Sequence, residues 1–250
     1  MIELSIVSPE LVIERNKKMK KFETKKAIVL GGTSGIGLAT AKLLRDGGAE
    51  VIACSRRQVD IEGMTCEQVD VLDRDALATL FEKHNGFDYL VNAATGGPRA
   101  IGPFLEMDLK DFQNSFAKLW GYVNSVRLGV PHMAEGGAVV LFSGYPARKW
   151  RPGVLAIGTV GGSVEAFIRL AANEIKPIRI NGVSPGLIDT PMSPLEGDAR
   201  EDYYRKGSEN HLIPRPGTAV EVAQAAIFVL ENEFVTGTIV DVDGGAILAP

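Results

Sequence analysis

The chain has 250 residues, 45% of them hydrophobic, and a formal net charge of −4 at pH 7. Length and composition suit a single domain with one substantial core, and the acidic balance excludes bulk attraction to nucleic acid or to an anionic membrane. No run approaches the roughly 18 apolar residues of a membrane span, and no short-spaced Cys/His cluster offers a metal site. Cys54 and Cys66, in predicted strand regions, read as reduced, packed thiols of a cytoplasmic protein.

Residues 1–22 read as a mobile extension to the domain at 23–250. Ser8-Pro9-Glu10 has the make-up of a brief helix start, with Ser at the N-cap and Pro at N1. Arg15, Lys17, Lys18, Lys20 and Lys21 then run towards Lys25 and Lys26 without interleaved aromatics, the pattern of a solvated segment rather than of a nucleic-acid arm.

From Lys26 onward short β-branched runs alternate with longer helical stretches. Strands are predicted at 27–30, 51–54, 67–69, 89–91, 139–142, 179–183 and 238–242. Helices are predicted near 35–47, 73–84, 108–132, 162–176 and 218–231. Ala27-Ile28-Val29-Leu30 is apolar throughout, as a strand covered on both faces must be. The alternation predicts an α/β, Rossmann-type, doubly wound parallel sheet of about seven strands in one domain.

Gly31-Gly32-Thr33-Ser34-Gly35-Ile36-Gly37 joins the first strand to the first helix. Glycines there let the backbone turn sharply and let a pyrophosphate approach main-chain N–H groups at the positive end of the helix. The second strand ends in Ser55-Arg56-Arg57, with no acid before Asp60. An acid there would accept from a ribose 2′-hydroxyl, whereas a guanidinium binds a 2′-phosphate through forked, charge-assisted hydrogen bonds. NADP(H) is the cofactor expected.

The spacing Gly31-x-x-x-Gly35-x-Gly37 resembles the short-chain dehydrogenase/reductase family. So do Asp70-Val71, Asn92-Ala93-Ala94-Thr95, Asn181 to Met192, Val235-Thr236-Gly237 and Asp241-Val242-Asp243-Gly244-Gly245, all in the family's order. The resemblance covers residues 24–250. It implies that Gly31, Thr33, Ser34, Gly35, Ile36, Gly37, Ser55, Arg56, Arg57, Asp70, Val71, Asn92, Ala93, Pro185, Gly186, Ile188 and Thr190 line the cofactor. It also implies a small-molecule substrate and a homo-oligomer, dimer or tetramer, built through 108–132, 162–176 and the last strand.

The same resemblance raises a difficulty. The family uses a Tyr and a Lys one helical turn on, a Ser, and an Asn on an earlier helix. Aligned from both sides, those positions fall on Ile157, Gly161, Gly144 and Lys118. The chain thus resembles a divergent member of the family, without its Tyr-x-x-x-Lys in the usual place. Tyr145-Pro146-Ala147-Arg148-Lys149 repeats the spacing, but immediately after a strand and with a proline that disfavours helix at Tyr145.

Ser143, Lys118 and Tyr145 are the candidates for proton chemistry. Lys118 is expected to reach the space that Gly161 leaves. Gly158, Gly161 and Gly162 suggest either close approach by another group or a late helix start. Tyr203, Tyr204 and Pro214-Arg215-Pro216 lie in a predicted substrate-covering loop at 190–215, and Trp120 and Tyr122 in a predicted helix interface. The expected function is NADP(H)-dependent oxidation or reduction of a small alcohol or carbonyl through non-standard residues. The alternatives are a catalytically inactive NADP(H)-binding sensor or structural partner, and a non-redox enzyme such as a dehydratase.

Overall fold

The computed structural model describes residues 21–250; the brief helix start and most of the basic run lie outside the described residues. Seven strands form one parallel sheet: β1 (Lys26–Leu30), β2 (Glu50–Ser55), β3 (Thr65–Gln68), β4 (Phe87–Asn92), β5 (Met133–Phe142), β6 (Arg179–Pro185) and β9 (Ile239–Val242). A two-stranded ladder, β7 (Ile188–Asp189) with β8 (Gly217–Thr218), stands apart. The main sheet runs β3-β2-β1-β4-β5-β6-β9, so the strand order reverses between β1 and β4. In open sheets of this kind, ligands sit in the crevice beyond the carboxyl ends at that reversal.

Both faces are covered, which explains the continuous apolar strands. On one face Ile28, Ile52, Leu90, Leu141 and Ile180 pack beneath α2 (Arg74–Lys83), α4 (Ala117–Gly129) and α5 (Leu155–Glu174). On the other, Val29, Val51, Val91 and Val140 pack beneath α1 (Gly35–Asp46) and α7 (Ala219–Glu231). Phe22 belongs to this second layer, 3% exposed and edge-on to Tyr89. Packing therefore begins one residue inside the stretch read as an extension.

Three helix expectations needed correction. The segment 108–132 is broken into α3 (Leu109–Ser115), α4 and a short 3-10 turn. Within 190–215 lies a helix, α6 (Gly197–Ser208). Helix α5 begins at Leu155, so its glycines are interior rather than marking a late start; Gly158 and Gly161 are closely approached, whereas a Cβ on Gly162 would meet nothing within 4 Å. With mean hydropathy 1.4 over an 18-residue window, α5 is long and apolar enough, by length and composition, to cross a membrane, contrary to expectation. Here it is a core helix, with Val160, Val164 and Ile168 buried.

Candidate active site

The turn from β1 into α1 has the shape that a dinucleotide phosphate requires. Gly31 holds φ = +76°, and a Cβ there would lie 2.7 Å from the Ala94 nitrogen. A Cβ on Gly37 would lie 2.1 Å from the Gly31 carbonyl oxygen. Ser34 is the N-cap of α1 without using its side chain, and no acid occupies the first turn. The positive helix end thus faces the crevice with its hydroxyl cap free, a fit for a diphosphate. Gly35 and Thr190 bring the two walls together, the Thr190 Cβ lying 3.7 Å from where a Gly35 Cβ would be.

Arg56 and Arg57 project from the end of β2 and are exposed. Their backbones are fixed: Gln68 Nε2 donates to the Arg56 carbonyl at 3.0 Å, and Ser55 Oγ to the Arg57 carbonyl at 2.6 Å. Neither guanidinium is paired with an acid among the described residues. One Asp70 oxygen accepts from Leu72 N–H at 2.9 Å, and buried Val71 packs under Gly121. Asn92 is fully buried, donating to Ser125 Oγ at 2.8 Å and accepting from Ala94 N–H at 3.0 Å, which fixes the turn through Ala93. On the opposite wall Gly186 abuts Asp243, Ile188 pairs in β7, and Pro185 ends β6. The residues singled out in the sequence for the cofactor thus lie at or just beyond the carboxyl ends of β1, β2, β3, β4 and β6.

Beyond the carboxyl end of β5 the three proton candidates part company. The Ser143 hydroxyl donates to Glu165 Oε1 at 3.1 Å, towards α5. Glu165 is buried and also takes Arg148 Nε at 3.1 Å. Arg148 reaches on to Asp241 of β9 with both terminal nitrogens, so one ion-pair chain ties β5, α5 and β9 together. Tyr145 opens a 3-10 turn (Tyr145–Ala147) rather than an extended loop; its hydroxyl accepts from Arg151. Lys149 instead donates to the carbonyls of Ala249 and Pro250. The repeated Tyr-x-x-x-Lys spacing therefore makes no Tyr–Lys pair.

Lys118 stands differently. Its ammonium donates to the Ser143 carbonyl at 3.0 Å and lies 5.7 Å from the Tyr122 ring centroid. Two of its three N–H donors remain available. Burial and the nearby Arg99 charge depress its pKa from 10.5 to about 8. It does not fill a space left at Gly161, as the sequence suggested. That space is closed: Ala147 Cβ lies 3.0 Å from where a Gly161 Cβ would be, and the Pro146 carbonyl oxygen 2.6 Å from that of Gly158. Gly158 and Gly161 admit the Tyr145–Ala147 turn against the helix.

Gly144 holds φ = +151° and ψ = 145°, a region essentially confined to glycine. Tyr122 is buried, and its hydroxyl donates to the Phe142 carbonyl at 3.2 Å. Trp120, expected in a helix interface, is 55% exposed. His84 pairs with Glu67 and His132 with Asn85, both remote from this end of the sheet. Sequence reasoning passed over Glu165, Arg148 and Asp241. The available signal was Glu165 as the one charge in the otherwise uncharged 155–168 stretch.

A family model described as enoyl-(acyl carrier protein) reductase matches residues 31–246. Carbonyl reductase family member 4 of Danio rerio is 32% identical over 241 residues, covering 88% of this chain and 96% of its own. The 3-oxoacyl-[acyl-carrier-protein] reductase of Rattus norvegicus is 30% identical, covering 87% and 95%. A small-chain dehydrogenase solved in complex with NADPH superposes with TM-score 0.81 at 29% identity, covering 91% of this chain and all of that one. With its sheet order, its glycine turn and relatives matched along nearly their whole length, the chain belongs to the short-chain dehydrogenase/reductase family of nicotinamide-dependent oxidoreductases.

Proposed function

We propose that the protein is an NADP(H)-dependent oxidoreductase of small carbonyl or alcohol substrates in which Lys118 handles the proton. The observation that carries this is the half-buried Lys118 ammonium, fixed on the Ser143 carbonyl at the carboxyl end of β5 with donors to spare. The glycine turn and the α1 N-terminus hold the diphosphate, and Arg56 and Arg57 take the 2′-phosphate. Bound there, the cofactor supplies or accepts the hydride at the substrate carbon. Lys118 gives its proton to the carbonyl oxygen during reduction and takes it back during oxidation. An ordinary lysine at 10.5 is a weak acid for neutral pH; one near 8 is far better matched. Ser143 and Tyr145, with hydroxyls engaged by Glu165 and Arg151, shape the wall. Exposed Trp120 on α4 and Leu170 on α5 support assembly into a homo-oligomer through those helices.

A panel of small aldehydes and ketones assayed for NADPH oxidation tests the reading. Turnover with NADPH well above that with NADH is the expected result. Tight NADPH binding with no turnover across the panel would favour a sensor instead.

A further inference from the structure

Ser143 is held from three sides, each by a different element. Its N–H donates to the Val183 carbonyl of β6 at 2.9 Å, and its hydroxyl to Glu165 Oε1 of α5 at 3.1 Å. Its carbonyl accepts from Lys118 Nζ of α4 at 3.0 Å. The residue lies one place beyond the end of β5 and one place before Gly144, whose φ of +151° is outside helix and strand. The strand ladder therefore stops short of the peptide that carries the Ser143 carbonyl. Held by its N–H alone, residue 143 could pivot and swing that carbonyl; the hydroxyl bond to a second element removes the freedom.

Glu165 is built as a fixed acceptor. It is 4% exposed, its Oε1 also takes Arg148 Nε at 3.1 Å, and its Oε2 faces Arg169 one turn on at 3.7 Å. Arg148 is braced in turn by Asp241 of β9. Taking a carboxylate out of water is a poor source of stability, and apolar side chains of similar volume often do as well or better. What a buried, doubly paired carboxylate provides is an acceptor with one orientation. Lys118 in turn has only the Ser143 carbonyl as a hydrogen-bond partner among the described residues, so its ammonium is placed only as well as that carbonyl is.

We propose that Glu165 is a positioning residue: through the Ser143 hydroxyl it fixes the Ser143 carbonyl, which holds the Lys118 ammonium in place for proton transfer. The inference rests on the oxidoreductase reading and adds to it a residue that acts on Lys118 through another.

The test compares Glu165→Ala with Glu165→Gln, which keeps an oxygen acceptor for Ser143, using NADPH and 4-nitrobenzaldehyde. Misplacing a reacting group by about 1 Å can cost on the order of 10²-fold. In Glu165→Ala kcat should fall roughly ten- to hundredfold, with KM and NADPH affinity changed by less than about twofold. Glu165→Gln should restore most of the rate. In a Lys118→Met background Glu165→Ala should lower the residual rate no further, since both then remove one function. Ser143→Ala cuts the same bond and leaves every ion pair intact; it should repeat the Glu165→Ala pattern, and it carries the test if that variant fails to fold. Independently of turnover, crystal structures should show Lys118 Nζ still on the residue-143 carbonyl in Glu165→Gln and away from it in Ser143→Ala. A lysine that keeps its place in Ser143→Ala, Glu165→Gln as slow as Glu165→Ala, or a full further loss in the Lys118→Met background would overturn the proposal while leaving the oxidoreductase reading intact. Silence of the unsubstituted protein would instead count against that reading, and the crystal structures would still decide whether Glu165 places the lysine.

Discussion

The two ends of the crevice are built on different principles. At the adenine end the backbone does the work: a glycine turn, an uncapped helix start and two exposed arginines wait for phosphates. At the substrate end side chains hold one another: Ser143 on Glu165, Glu165 on Arg148, Arg148 on Asp241, and Tyr145 on Arg151. The first end is open to a ligand because main-chain geometry cannot be satisfied internally. At the second, most polar groups already have partners, and Lys118, bonded only to the Ser143 carbonyl, is the exception. The contrast means that the two ends can be altered separately.

Substitutions at the two ends should therefore separate turnover from cofactor affinity. The largest effect is expected for Lys118→Met: turnover should fall by roughly 10²–10⁴-fold, as for loss of a general acid, with NADPH affinity nearly unchanged. With Lys118 as the proposed proton donor, the protonated lysine serves reduction, so the reduction rate should fall as pH rises through about 8, and oxidation should rise through the same value. A flat profile across that range, or unaltered turnover in Lys118→Met, would remove the lysine from the chemistry.

Next in size is an attempt to reinstall the family's residues. Gly144→Ser, Ile157→Tyr and Gly161→Lys together should not raise turnover and should lower stability. Ala147 blocks the lysine, and a non-glycine residue at φ = +151° is strained. Overpacking of this kind costs about 1–3 kcal/mol, which thermal unfolding will read. A gain in turnover would mean that the usual site is merely unfilled rather than rebuilt.

Smaller still, Arg56→Ala should weaken NADPH binding about tenfold, the scale of one charge-assisted bond, and spare NADH. Equal losses for both nucleotides would sink the 2′-phosphate assignment. The smallest effect is expected for Tyr145→Phe, with kcat changed by less than about threefold, because its hydroxyl is engaged by Arg151. A fall as deep as that of Lys118→Met would make Tyr145 the acid instead.

The sheet was legible because strands covered on both faces are largely apolar, and 27–30 and 139–142 are so throughout. The adenine end was legible for a related reason: phosphate binding by backbone demands glycines at fixed spacing, and spacing survives in one dimension. The break at Phe116 between α3 and α4 left no such trace, since neither proline nor glycine marks it. At the substrate end the meaning of Gly158 and Gly161 depended on which segment lies against them. The Ser143 hydroxyl finds Glu165, 22 positions away, and Arg148 beside it finds Asp241, 93 positions away. Pairings at that distance are decided by topology, and a single sequence does not carry them. Lys118 was identified as a candidate, but its partner, the Ser143 carbonyl, appears only once α4 is set beside β5.

The ion-pair chain from Ser143 to Asp241 has a consequence for how such a site diversifies. The wall bearing Tyr145 and Arg151 is bolted at Glu165 on α5 and at Asp241 on β9. Shifting it as a body would strip a buried carboxylate of its cations, a change far more disruptive than most single substitutions. New specificities should therefore arise by exchanging individual side chains on a fixed frame, with Arg148 and Glu165 the positions that a directed-evolution library should leave alone.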